Sequence, residues 1–418
     1  MKFEDYRISP EIKKSLERLN FKRPTDIQFK AIPAVLKGED VLGIAQTGTG
    51  KTAAFAIPIL HLINERKKGT RKKGVKCVVM APTHELAIQI AEVFNQIGKQ
   101  TRVKTMALYG GTDQAPQKEK LSDGIDILVA TPGRLFDLRS QGFIKLDEAT
   151  LLVLDEADHM LDLGFYDDIK DLLKHLPKKR QTLFFSATIN DKIKKLAYSI
   201  VKNPIRIEIS PKDPISKNIT HAVTFIGMDD KRYFLERAIN ENTDRKMLVF
   251  VRTKVRAERV KAAMERVGIE ALSIHSDKDQ KERSGVMQAF KSGVCKVLIA
   301  TDISARGIDI PEVEVVINYD LPDVPENYVH RIGRTGRGKE KGLAFSFCSP
   351  DEKVHLEDIE AYIGHPIDEI VIDRSLYEQT KDLSSDKESI TMKQIRQEIS
   401  AADQFKKKKK KGNKKKKK

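Results

Sequence analysis

Short apolar runs punctuate the chain at residues 41–44, 77–80, 127–130, 151–154 and 182–185. Between them lie longer stretches in which apolar residues recur every three or four positions, as in residues 53–64 and 85–96. Runs of four apolar residues predict strands buried on both faces, and the longer spacing predicts helices laid over them. Strand alternating with helix predicts a parallel sheet with helices on both faces. The pattern starts again at residues 247–251, continues at 271–274, 297–300, 313–317 and 342–347, and ends near Ile363 and Gly364. Between the two blocks the chain is polar, with Pro211 and Pro214, which predicts a linker. The expected organisation is an α/β domain over residues 1–209, a linker at 210–219, a second α/β domain over 220–364, and an extension at 365–418. That extension is polar, with room for one helix around residues 381–402, and ends in lysines.

A length of 418 residues and a hydrophobic content of 40% fit two or three domains with real cores. No apolar run approaches the ~18 residues of a membrane span, and Met1-Lys2-Phe3-Glu4-Asp5 starts no secretory signal. Cys77, Cys295 and Cys348 stand at unrelated spacings. They form neither a disulfide framework nor a zinc motif, and they suit burial in a reducing cytoplasm. Of the net charge of +16, eleven charges are lysines within residues 406–418. A block of like charge cannot bury itself, so it predicts a disordered tail that tethers polyanions or only aids solubility. The basic stretch at residues 67–73 predicts a solvated turn.

Two segments carry phosphate chemistry. In the first, a buried strand runs into Ala45-Gln46-Thr47-Gly48-Thr49-Gly50-Lys51-Thr52. Glycines let backbone N–H groups curl around a phosphate, Lys51 adds a charge, and Thr52 offers a hydroxyl to Mg²⁺. The strict pattern has glycine where Ala45 stands. In the second, the apolar strand at 151–154 ends in two acids, Asp155 and Glu156, and delivers a carboxylate to the same metal. Together they point to hydrolysis of a nucleoside triphosphate. The second block has no such loop, but carries Tyr328-Val329-His330-Arg331-Ile332-Gly333-Arg334-Thr335-Gly336-Arg337. Arginines separated by glycines suit phosphate oxygens, which predicts one active site shared across a cleft between the blocks.

With these residues in view, the chain from about Phe3 to Gly364 resembles the DEAD-box ATP-dependent RNA helicases of superfamily 2. Its layout, with a short lysine-rich tail, is most similar to the bacterial RhlE type. The resemblance implies two RecA-like domains, ATP and Mg²⁺, and RNA as partner. It implies that residues 21–28 read adenine, with Gln28 on the base edge, Phe21 stacked on the ring and Phe3 behind it. Ala45 is the family's own residue at the head of the P-loop. Asp155 would hold Mg²⁺ with Thr52, and Glu156 would activate the attacking water. Ser186-Ala187-Thr188 would couple hydrolysis to RNA. Asp309 would meet the ribose, Arg334 and Arg337 would be arginine fingers, and His330 and Arg331 would wire that segment to the rest.

The resemblance places RNA against Pro82, Thr83, Gly110, Gly111, Thr131, Pro132, Gly133 and Arg134 in the first block. In the second it points to Arg252, Thr253, residues 275–283 and Thr301. Helix starts and small residues there can present N–H groups to phosphates. Two residues depart from the family: His84 stands where arginine is usual, which puts one phosphate contact or internal salt bridge in doubt, and Ser276 stands where glycine is frequent. The expected activity is RNA-dependent ATP hydrolysis by a cytoplasmic monomer that closes on single-stranded RNA, locally unwinds short duplexes or remodels RNA–protein complexes. A DNA-translocating helicase and a non-enzymatic RNA chaperone acting through the tail are the alternatives.

Overall fold

The computed structural model describes residues 1–46, 48–67, 74–209, 215–305, 313–336 and 341–384. Thr47, Asp309, Arg337, the first half of the linker and the lysine run lie outside the described residues.

The first unit reads α1 (Pro10–Arg18), α2 (Asp26–Leu36), β1 (Val41–Ala45), α3 (Lys51–Lys67), β2 (Cys77–Met80), α4 (His84–Ile97), β3 (Thr105–Leu108), α5 (Ala115–Ser122), β4 (Ile127–Ala130), α6 (Pro132–Ser140), β5 (Leu151–Leu154), α7 (Ala157–Asp162), α8 (Tyr166–His175), β6 (Gln181–Ser186), α9 (Asp191–Ile200) and β7 (Ile205–Ile209). Its sheet is parallel in the order β3-β4-β2-β5-β6-β1-β7. The second unit reads β8 (Ile219–Phe225), α10 (Lys231–Asn240), β9 (Met247–Phe250), α11 (Lys254–Arg266), β10 (Leu272–Ile274), α12 (Gln280–Lys291), β11 (Val297–Ala300), α13 (Asp302–Ala305), β12 (Val315–Asn318), α14 (Pro325–Ile332), β13 (Gly342–Cys348), α15 (Lys353–Ile363), β14 (Asp368–Glu369) and α16 (Arg374–Asp382). Its sheet follows the same plan, β10-β11-β9-β12-β13-β8-β14.

The continuous apolar runs have a direct physical cause. Along β2, β4 and β5, odd residues such as Val79, Val129 and Val153 join one core with α2, α3 and α4. Even residues such as Val78, Leu128 and Leu152 join another with α6, α8 and α9. Both faces of the central strands are therefore covered, and no alternation is left. The second sheet divides in the same way, with Leu248 and Val316 on one side and Val249 and Val315 on the other. These are two RecA-like domains.

Strands β3, β7, β8 and β14 were not foreseen as apolar runs, and the sheet positions explain why. Three are edge strands, and β7 reads Ile-Arg-Ile-Glu-Ile with its polar residues exposed. β8, one place in from the edge, is likewise only part buried. The second domain does not stop at residue 364. β14 pairs with β8, and α16 packs on α10 through a Phe234–Tyr377 ring contact at 4.9 Å and a Tyr377 hydroxyl that accepts from Gly227 N. Most of the helix expected around 381–402 lies outside the described residues; α16 ends at Asp382.

Candidate active site at the domain interface

The parallel order brings the C-terminal ends of β1, β2, β4, β5 and β6 to one rim of the first sheet, and the phosphate segments follow those strands. After β1, Gly48 and Gly50 adopt φ of +81° and +91°, which side chains disfavour. A Cβ on Gly50 would stand 2.4 Å from the Gln28 amide nitrogen. Gln28 is buried; its Nε2 donates to Gly50 O at 3.1 Å and its Oε1 accepts from Thr25 N at 3.0 Å. Thr25 Oγ1 donates to Thr49 O. The start of α2 therefore braces the loop from outside. Gln28 keeps a second N–H and a second lone pair for a base, so its first duty is to shape the P-loop. Lys51 is buried, with Nζ donating to Ala45 O at 2.7 Å, so its ammonium lies over the loop where a phosphate would sit. Phe21 meets Phe3 edge-on at 5.8 Å, and both line a cavity with Arg23.

The acids follow β5. Asp155 is buried, and burial raises its carboxyl to about 6 against the pull of Lys51. Glu156 has left-handed backbone, φ 51° and ψ 50°. Burial alone would raise its carboxyl, but the His159 imidazole and the charges of Lys51 and Arg334 outweigh it and hold it at about 2. His159 Nδ1 lies 3.5 Å from Glu156 Oε2, an ion-pair distance that is long for a hydrogen bond. Asp158, not singled out from sequence, accepts from Ala187 N, Thr188 N and Thr188 Oγ1 at 3.1–3.2 Å. Ser186 donates to Thr188 O. The three-residue turn after β6 is thus bolted to the acidic motif.

A carboxylate and a hydroxyl are the hard oxygen donors Mg²⁺ prefers, and Asp155 is a buried charge in want of a cation. Among the described residues no group of three or more His, Cys, Asp or Glu could hold a metal. One carboxylate and the Thr52 hydroxyl fit a cation that takes its other ligands from triphosphate and water.

This burial gives a testable stability effect. An acid raised above its unfolded value costs native stability above pH 6, and the cost fades as pH falls through 6 towards 4. Asp155→Asn is expected to stabilise the nucleotide-free protein at pH 7.5 by on the order of 2 kcal/mol. In urea melts, its advantage over the parent should shrink towards pH 4. A variant no more stable than the parent at pH 7.5 would overturn this account.

The second domain brings α14 to the same place. Arg331 is fully buried; Nε and Nη2 donate to the two oxygens of Asp302 at 2.6 and 2.7 Å, and Nη1 donates to Asp320 O. It ties α14 to α13 and β12 and does not face the nucleotide. Arg334 is buried at the end of α14, in the wall of a cavity that also contains Glu156, Asp158, Thr188 and His330. Thr301 Oγ1 donates to Ser304 Oγ.

Along the same strand ends, Thr83 caps α4 and, in the second domain, Thr253 caps α11 through their hydroxyls. Thr131 and Pro132 begin α6. Three helix N-termini thus stand along the sheet rims of both domains. Two arginines expected at the RNA also make internal contacts. Arg134 is buried and donates to Thr112 O at 2.9 Å, bracing the turn after Gly110 and Gly111. Arg252 pairs with Asp323 at 3.1 Å and Glu352 at 3.3 Å, in a network built around the buried Lys231–Glu352 pair. Gly133 is open to solvent, with nothing near a Cβ placed there.

His84 has its own use. Its Nδ1 stands 3.1 Å from Oε1 of Gln280, and next to it Glu85 pairs with Arg283 at 2.6 Å. Two residues opening α4 thereby clasp two residues of α12 across the domains. The departure from arginine serves a domain contact. Sequence could not pair residues 196 and 198 positions apart.

Comparison with known proteins agrees with this geometry. The DEAD/DEAH box helicase family matches residues 25–196 and the helicase conserved C-terminal domain matches residues 230–339. The DEAD-box ATP-dependent RNA helicase CshA of Geobacillus kaustophilus is 41% identical over 86% of this chain and 76% of its own length. The ATP-dependent RNA helicase RhlB of Shewanella frigidimarina is 41% identical over 88% of this chain and 85% of its own. Equal identity to these two assigns the family and not the RhlE subgroup. The structure of S. cerevisiae Dbp5 bound to RNA and ADP BeF3 superposes with a TM-score of 0.80 at 31% identity, covering 91% of this chain and 99% of that one. The chain belongs to the DEAD-box ATP-dependent RNA helicases.

Proposed function

We propose that ATP and single-stranded RNA together close the two domains of this helicase, and that closure assembles the hydrolytic site while bending the RNA out of duplex geometry. The observation that carries this reading is one cavity walled by Glu156 from the first domain and Arg334 from the second, with the Arg334 charge lowering the Glu156 carboxyl. The Dbp5 structure on which this chain superposes is itself bound to RNA and ADP BeF3.

In this mechanism Lys51 and the P-loop N–H groups hold the β- and γ-phosphates. Thr52 and Asp155 would hold Mg²⁺, which would neutralise phosphate charge when bound. Glu156, fully ionised, orients the water and takes its proton as the oxygen attacks phosphorus. Arg334, with Arg337 from outside the described residues, meets charge that develops on the transferred group. Asp158 passes the state of the site to Ser186 and Thr188. RNA phosphates lie on the N-termini of α4, α6 and α11, with Gly110 and Gly111 letting the backbone approach. Such contacts carry no sequence information, so short duplexes are opened locally, whatever their sequence. The three cysteines are free and buried, which supports work in a reducing cytoplasm.

The test is steady-state ATP turnover with RNA and with DNA oligonucleotides of matched sequence. RNA should stimulate strongly, DNA weakly, and Lys51→Ala should abolish the response together with ATP binding. Equal stimulation by DNA, or RNA annealing that survives Lys51→Ala as the main activity, would overturn the reading.

A further inference from the structure

The cavity shared by Glu156 and Arg334 extends beyond the reacting atoms. It has a volume of about 100 Å³ and includes no described P-loop residue. The P-loop lines a separate cavity with Gly333 and Thr335, and His330 stands in the wall of both. The first cavity has an inner and an outer end. His159 and Arg334 are buried in it, whereas Asn190, Asp162 and Val324 in its wall are exposed. It therefore leads from Glu156 to solvent by a path that does not cross the nucleotide loop.

His159 makes this path chemically specific. It is 4% exposed, and among the described residues neither ring nitrogen has a hydrogen-bond partner. Nδ1 faces the Glu156 carboxylate at ion-pair distance, which leaves Nε2 as a buried polar atom, costly unless something polar visits it. A neutral imidazole offers one donor and one acceptor. With Nδ1 turned to Glu156, Nε2 is the acceptor, and the hydroxyl of protonated inorganic phosphate can donate to it. Asp162 and Glu326 in the same wall repel an anion, so the cavity suits passage more than storage.

We propose that this cavity is the exit route of inorganic phosphate, with His159 its first contact on leaving the site while ADP is still seated on the P-loop. The proposal rests on the assignment of Glu156 and Arg334 to the γ-phosphate. Release by this route lets phosphate leave, and the cleft reopen, before ADP departs.

The test uses the full-length protein with RNA. Single-turnover cleavage is followed by rapid quench, and phosphate release by a fluorescent phosphate-binding reporter. Val324→Trp narrows the exposed mouth without touching the chemistry, and His159→Leu removes the inner contact. In Val324→Trp, cleavage should keep the parent rate. In both variants, release should fall behind cleavage by about fivefold or more, the order that one lost hydrogen bond carries. Release that keeps pace with cleavage in both variants would overturn the proposal. Failure of the underlying assignment would show separately, as parent-like cleavage in Glu156→Gln.

Discussion

Glu156→Gln is expected to lower RNA-stimulated ATP turnover by ~10²- to 10⁴-fold, the range general-base catalysis contributes. Glutamine keeps the size and shape of the side chain and one carbonyl oxygen, so the water can still be held. It cannot take the proton. Lys51, Asp155 and the P-loop are untouched, and ATP and RNA should bind as before. The variant should therefore accumulate as a closed complex with both ligands, seen as RNA retained on the protein in the presence of ATP. The carboxyl of Glu156 is held at about 2, so it is ionised throughout the working range. Any loss of rate between pH 6 and 5 must then come from another group. Parent-like turnover in this variant would remove Glu156 from the mechanism.

Arg334→Ala is expected to cost ~10³-fold or more in turnover, the worth of an arginine finger. Its effect on ATP affinity without RNA should be small, because Arg334 belongs to the second domain and reaches the nucleotide only in the closed form. Arg334→Lys should recover little of the rate, since an ammonium cannot reproduce the planar two-pronged contact. Residues 1–209 alone should bind ATP weakly and show no turnover response to RNA. The measurements are ATP affinity by equilibrium titration and turnover with RNA at saturation. RNA-stimulated turnover by that fragment would end the shared-site account.

Much of this architecture was readable in advance, for reasons that differ by residue. The strands at 77–80, 127–130 and 151–154 announce themselves because both faces are buried. β7 and β8 do not, because charged and part-exposed residues interrupt their apolar positions. The P-loop and the acids are local chemistry: neighbours in sequence that act together in space. The contacts that sequence missed are long-range. His84 with Gln280, Glu85 with Arg283 and Arg331 with Asp302 depend on how two sheets and their helices meet. The same is true of Arg134 and Arg252, whose charge suggested RNA but whose surroundings supply internal acceptors. His159 looks like any polar residue beside an acidic motif until its burial shows Nδ1 turned to Glu156 and Nε2 without a hydrogen-bond partner among the described residues.

The backbone at Glu156 has a further meaning. A non-glycine residue at φ 51° sits in left-handed geometry that disfavours its Cβ by roughly 1–2 kcal/mol. Beside it, Asp155 is ionised in a buried place that would favour its neutral form. Two adjacent positions are thus locally unfavourable in the resting protein for the same reason: each is shaped for a state in which ligand is present. Thermal robustness and turnover are set against each other at this turn. A laboratory evolution scheme that reads only survival on heating would drift towards glycine or asparagine at residue 156 and asparagine at 155. It would yield a sturdier RNA-binding shell from which the motor had been bred out.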